Sequence, residues 1–225
     1  ELEELGPPRR MSLPLMVERS REKLSTESPA SRLDRIIRDA EAQLRAHLMR
    51  APTDVAAFRI LGELPARIGR QEDAGRLLAR CVELAPSFHA ARQHYALVLH
   101  RGNKPTEALA QIDTLLRHDP RNPNIRNLQA AVLCRIGEYG KAIDIYAGIL
   151  HDHPDQPKVW MNQGHALKTE GRKDESIAAY RRCIALDPSF GEAWWSLANL
   201  KTFRFSEDDI ALMQRQLENP SLAAE

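Results

Sequence analysis

Apolar and polar positions alternate along most of this chain with a helical rhythm. Between Pro157 and Phe190 the pattern is clearest: Trp160, Gly164 and Leu167 fall on one stripe, and Ser176, Tyr180, Cys183 and Leu186 on another. This spacing predicts two successive amphipathic helices. Gly171 lies between them, where a left-handed residue would stop the first helix. Asp187-Pro188 ends the second, because a residue before proline avoids the helical region.

The same pattern returns at a fixed interval. Pro52, Pro86, Pro120, Pro154 and Pro188 are each 34 residues apart, a period that means stacked supersecondary units rather than one closed core. A small residue stands 24 before each later proline (Gly62, Ala96, Ala130, Gly164), and another stands twelve before (Ala40, Ala74, Ala108, Ala142, Ser176). These let paired helices approach closely. Large residues eight before the proline, Leu44, Leu78, Ile112, Tyr146 and Tyr180, fill the gaps. Gly69, Gly137 and Gly171 recur at the turn between helices, and Asn103 replaces glycine in the remaining unit. Asparagine tolerates the left-handed region.

Four full units are expected, at 55–88, 89–122, 123–156 and 157–190. A degenerate capping unit at 28–54 precedes them and a divergent unit at 191–220 follows. Residues 1–27 carry Gly6-Pro7-Pro8, Arg9-Arg10 and Pro14 without sustained periodicity and read as a tail or extended arm. Leu33, Ile36, Ile37, Ala40, Leu44 and Leu48 predict a long helix opened by Ser28 as N-cap and Pro29 as first residue. Pro105, Pro123 and Pro157 also sit where helices should begin. Pro65 falls inside a first helix, where it removes a hydrogen bond and clashes one turn back at a cost of about 3 kcal/mol. A kink or early break is expected there. In the last unit Trp194, Leu197, Ala198 and Lys201 take first-helix places, Phe203-Arg204-Phe205 replaces the glycine turn, and Ser206 caps a helix expected over 207–218.

These residues resemble the tetratricopeptide repeat (TPR) family. The match is strongest at Phe58, Leu61, Gly62, Gly69, Ala74 and Pro86, and at Trp160, Gly164, Gly171, Tyr180 and Pro188, and it covers roughly Ser28 to Pro220. The two middle units are weaker, since Arg92 and Arg126 occupy the place of the large aromatic and would pack through their stems. The resemblance implies an all-α, right-handed superhelical solenoid of antiparallel helix pairs. The phrase GEAWWSLANLKTFRFSEDDI is similar to a segment of bacterial proteins that carry N-terminal TPR units ahead of a sulfotransferase domain. On that resemblance the chain would be the helical portion of a larger bacterial protein, and its start without methionine suggests a fragment. No strand pattern or glycine-rich phosphate loop of the sulfotransferase kind occurs in it.

Composition narrows the function classes. A formal net charge of +1 with 28% charged residues gives no electrostatic grip on nucleic acid. No apolar run approaches the ~20 residues needed to cross a bilayer, and no charged and apolar leader opens the chain. A cytoplasmic protein without membrane attachment is the expectation. Cys81, Cys134 and Cys183 form no close-spaced pair, and Cys81 and Cys183 share one repeat position, where a small packed residue is expected. His151 and His153 flank Asp152 at a helix end, a pattern that fits solvated histidines better than a metal site. With no catalytic triad, no phosphate loop and no paired carboxylates, neither cofactor nor enzymatic activity is expected of this chain.

In TPR proteins the first helices line a concave groove where ligands bind, and the resemblance implies the same here. The inward helix positions are Arg59, Glu63, Arg67, Gln93, His100, Arg101, Asn124, Asn127, Arg135, Lys158, Asn162, His165, Lys168, Trp195 and Asn199. Basic and amide groups predominate, so the groove should favour an extended acidic peptide. Arg67, Arg101 and Arg135 recur at one-repeat spacing as a ladder. A purely structural reading of that ladder stays open, because each arginine lies in a last helical turn, where the macrodipole favours cations. Trp195 is the expected aromatic anchor. The lysine-asparagine clamp of the family's chaperone-binding members is not reproduced. The chain thus reads as a protein- or peptide-binding scaffold, with two alternatives: acceptor selection for a sulfotransferase, and self-association through an unsealed end.

Overall fold

The structure, a computed structural model, describes residues 29–67, 70–201 and 203–218, and all regular structure among them is helical. In chain order the helices are α1 (Pro29–Arg50), α2 (Val55–Arg67), α3 (Gln71–Leu84), α4 (His89–Arg101), α5 (Pro105–His118), α6 (Pro123–Arg135), α7 (Tyr139–Asp152), α8 (Pro157–Thr169), α9 (Lys173–Leu186), α10 (Gly191–Ala198) and α11 (Glu207–Leu217). The first helices begin at Val55, His89, Pro123 and Pro157, as the repeat spacing predicts. Proline opens α5, α6 and α8. In α6 it follows Asn122, whose side chain accepts hydrogen bonds from the amides of Asn124 (3.1 Å) and Ile125 (3.2 Å). The inter-helix turns use positive φ at Asn103 (58°), Gly137 (87°) and Gly171 (85°). The predicted turn at Gly69 and cap at Ser28, and the arm at 1–27, lie outside the described residues.

Each helix from α1 to α10 packs on its neighbours in sequence. The first helices α2, α4, α6 and α8 also touch one another in succession, while no comparable contact joins successive second helices among the described residues. The stack therefore curves with its first helices on the inner wall. Close approach inside a unit depends on the small residues. A Cβ added to Gly62 would meet Leu78 Cγ at 2.7 Å, and one added to Gly164 would meet Tyr180 Cε1 at 2.5 Å. Ala96, Ala130, Ala74, Ala108, Ala142 and Ser176 are fully buried in the corresponding places. Ser176 keeps its hydroxyl satisfied by donating to the Gly164 carbonyl at 2.9 Å, as burial of a polar group requires.

At the aromatic place the indole Nε1 of Trp160 donates to the carbonyl of Pro154 at 2.8 Å, and that of Trp194 to Pro188 at 2.9 Å. Arg92 makes the same bond from Nη2 to Pro86 O at 2.9 Å, and Nη1 reaches Gln111 Oε1 at 2.6 Å. Packing at Arg92 therefore involves the guanidinium as well as the stem predicted from sequence. Arg126 lies over Gly148, where an added Cβ would fall 2.5 Å from Nη2, and it faces Asp152 at 3.9 Å.

Two local expectations are corrected. Pro65 causes no early break: α2 continues to Arg67 and has the same 13 residues as α4 and α6. Only the bond to one carbonyl near the helix end is forfeited, and the ring is buried in the core. Lys201 does not join the last first helix, because α10 ends at Ala198. From there the chain turns so that Phe203 and Phe205 reach the Trp194 side of the stack, with ring centroids of Phe205 and Trp194 6.1 Å apart. The divergent end is firmly tied down. Ser206 and Asp209 form a reciprocal capping box at α11, and Arg181 of α9 grips Asp209 with two bonds of 2.8 and 2.9 Å. Arg181, the first cause, with the Ser206 bonds, holds the Asp209 carboxyl well below the usual carboxylate range. No described helix is long and apolar enough to cross a membrane. Cys81 and Cys183 are buried, and desolvation raises both thiols, Cys183 to about 11; both thus stay protonated and unreactive at neutral pH.

Candidate functional site

The inner wall gathers charge at the ends of its helices. His100 and Arg101 occupy the last turn of α4 and Arg135 the last turn of α6, where the negative end of the helix dipole favours cations. Arg101 and Arg135 are exposed, and no carboxylate among the described residues pairs with either. They flank His100, whose half-buried ring keeps Nδ1 away from solvent and without a hydrogen-bond partner. Burial first, then Arg135 and Arg101, pushes the His100 imidazole below its ordinary pKa. The ring is therefore neutral at pH 7, and the cluster's charge resides on the two arginines.

The described acids Glu63 and Glu192 have partners within the wall. Glu63 pairs with Arg59 of the same helix and, at 2.7 Å, with His94 Nδ1 of α4. Glu192 of α10 faces His165 Nε2 at 3.4 Å, and the Tyr180 hydroxyl hydrogen-bonds His165 Nδ1 at 3.0 Å. Lys158 and Lys168 of α8 are exposed without ion pairs among the described residues, so the described wall is net positive from α4 to α8. The second-helix starts differ: there Arg70 and Arg76 share Asp73, Arg172 holds Glu175 and Lys141 holds Glu138.

The sequence-predicted residues fall into three groups. Arg101, Arg135 and His100 come together, and Lys158, Lys168, Asn124, Asn199 and Trp195 are exposed. Trp195 is 66% exposed while its neighbour Trp194 is 8% exposed. Other members are already engaged. Arg59 pairs with Glu63 and lies 5.9 Å from the Phe88 ring centroid, Asn162 donates to Asn127 Oδ1 at 3.1 Å, and His165 bridges Tyr180 and Glu192. Gln93 is half-buried, and the side chain of Arg67 lies outside those described. His94 and Glu192 are inner-wall residues that sequence reading missed. Their signal was register, for His94 precedes Asn162 by two repeats and Glu192 follows Lys158 by one. His151 is exposed and lies 3.1 Å from Asp152, and no three metal-ligating side chains converge among the described residues.

Comparison with known proteins agrees with the fold. Residues 69–132 and 157–190 match models of the tetratricopeptide repeat. The peroxisomal targeting signal receptor of Kluyveromyces lactis is 32% identical over 88 residues, 36% of this chain and 16% of the receptor. The human protein O-mannosyl-transferase TMTC1 is 24% identical over 145 residues, 63% of this chain and 16% of the transferase. The chain thus spans about a sixth of the length of these relatives. Among solved structures, MamA superposes with a TM-score of 0.63 at 17% identity, covering 74% of this chain and 98% of MamA. YrrB, described as a TPR protein with an unusual peptide-binding site, superposes with a TM-score of 0.61 at 14% identity over 72% of this chain and 84% of YrrB. At such identities the likeness speaks to fold alone. The chain therefore has the fold of a tetratricopeptide-repeat solenoid, with residues 69–132 and 157–190 matching the repeat itself.

Proposed function

We propose that this chain is a non-catalytic scaffold that holds an extended acidic segment of a partner protein along its inner wall. The observation that carries the reading is the contrast within that wall: Arg101 and Arg135 are exposed without an ion pair among the described residues, whereas Glu63 is paired with Arg59 and bonded to His94, and Glu192 faces His165. Carboxylates brought to the free guanidinium groups gain charge-assisted hydrogen bonds without breaking existing ones. The peptide-binding site named for YrrB and the receptor role named for the peroxisomal relative support protein recognition in general. We further propose that the array is the recognition region of a larger, cytoplasmic bacterial protein. The similarity of residues 191–210 to TPR proteins with a sulfotransferase domain supports acceptor selection as its role there.

The test is fluorescence anisotropy with a labelled peptide rich in aspartate and glutamate. Reversing both charges, Arg101→Glu with Arg135→Glu, should weaken binding tenfold or more and leave helicity unchanged, and added salt should weaken the wild type. Unaltered affinity removes the reading. His100 gives a second readout: an acidic ligand between the two arginines offsets their repulsion of the imidazolium and raises the His100 pKa, which NMR titration detects.

A further inference from the structure

Between α2 and α4 the inner wall opens into a cavity of about 160 Å3 with an apolar lining of Ala66, Leu78, Leu97 and Val98. Its origin is visible in the repeat register. Ala66 occupies the place that His100, Cys134 and Lys168 hold in the following units, so the missing bulk of one side chain leaves the space. A cavity of about 150 Å3 lined by apolar residues takes a benzene-sized guest; this one therefore suits a side chain of leucine or phenylalanine size. Glu63 and His94 also line it, already paired with each other at 2.7 Å, so no free anion opposes an acidic ligand. Arg101 lines the same cavity and, like Arg135, has no ion pair among the described residues.

We propose that this cavity anchors the bound segment, taking one apolar side chain while Arg101 and Arg135 hold acidic residues beside it. The proposal rests on the inner-wall reading above and makes it specific: the partner presents an apolar residue flanked by acids, not an acidic tract alone. Packed helices lie about 8–10 Å apart and an extended chain advances about 3.3–3.6 Å per residue. Guanidinium groups one unit apart therefore match carboxylates about three residues apart, with the apolar residue at the α2 end and the acids running toward α6.

Two blocked nine-residue probes test this on the full chain by anisotropy. One carries leucine followed by acids at three-residue spacing; in the other, alanine replaces the leucine. The leucine probe should bind at least tenfold more tightly. Filling the cavity with Ala66→Met should abolish that preference, with folding checked by circular dichroism. Arg101→Glu with Arg135→Glu should weaken both probes. Equal binding of the two probes by the wild type overturns the anchor and leaves the inner-wall reading standing, and this comparison depends on no variant. An undiminished leucine preference in a folded Ala66→Met chain also overturns it. Binding of neither probe overturns both.

Discussion

Trp160 and Arg92 stand two repeats apart at one position and do the same work with different chemistry. The indole donates to the carbonyl of the proline six residues earlier at 2.8 Å, and the guanidinium does so at 2.9 Å. Trp194 makes the bond a third time. What this place selects is a long, flat side chain with an N–H at its tip, and aromatic character is one way to supply it. Arg126 departs from the pair: it spreads over Gly148 and turns to Asp152.

The difference between the Trp160 unit and the Arg92 unit can be attacked at several depths. The largest effect is expected at Gly164, which the Trp160 unit has where the Arg92 unit has Ala96. Gly164→Val drives bulk into the Tyr180 ring and should cost about 3 kcal/mol or more, whereas Ala96→Gly should cost only about 1 kcal/mol; urea denaturation measures both. Next, Arg92→Ala forfeits bonds to Pro86 and Gln111 and should cost about 1–2 kcal/mol. Arg92→Trp should recover most of that loss, and a tryptophan as damaging as alanine would sink the shared-donor account. In the Trp194 unit the donor is retained but the end depends on Arg181 and Asp209. Because the Asp209 pKa is depressed on folding, its stabilisation is present above the unfolded value near 3.9 and is lost as pH falls below it. Asp209→Asn should therefore flatten the acid limb of thermal stability, by about 1 kcal/mol. Smallest is Gly148→Ala, expected within about 0.5 kcal/mol of neutral, since gained helix propensity offsets displacement of the flexible end of Arg126.

Much of the fold was legible because its signals are local. A proline lacking an N–H at a helix start, or a glycine or asparagine at positive φ, announces itself without knowledge of distant residues, and Pro123, Asn103 and Gly171 did so. Pro65 and Lys201 misled because tertiary packing decided them: one ring is buried in the core, and the path after Ala198 follows Phe203 and Phe205 back to the stack. The candidate site was half legible for the same reason. Register assigns both Arg59 and Arg101 to the inner wall, but only the folded chain shows that Glu63 and Phe88 occupy the first and leave the second free. The cavity's sequence signal was one alanine, Ala66, among larger residues in register, which becomes meaningful once α2 and α4 are known to face each other.

The first helices touch one another far less than they touch the partners within their own units, with Asn127 and Asn162 as one added stitch. Units are otherwise joined where each second helix packs on the next first helix, behind the inner wall, so the wall's own pitch has few direct braces. A segment fastened to both Arg101 and Arg135 would act as a splint, fixing the pitch between α4 and α6. Pulling on one end of the array would then change how firmly the other end holds its cargo.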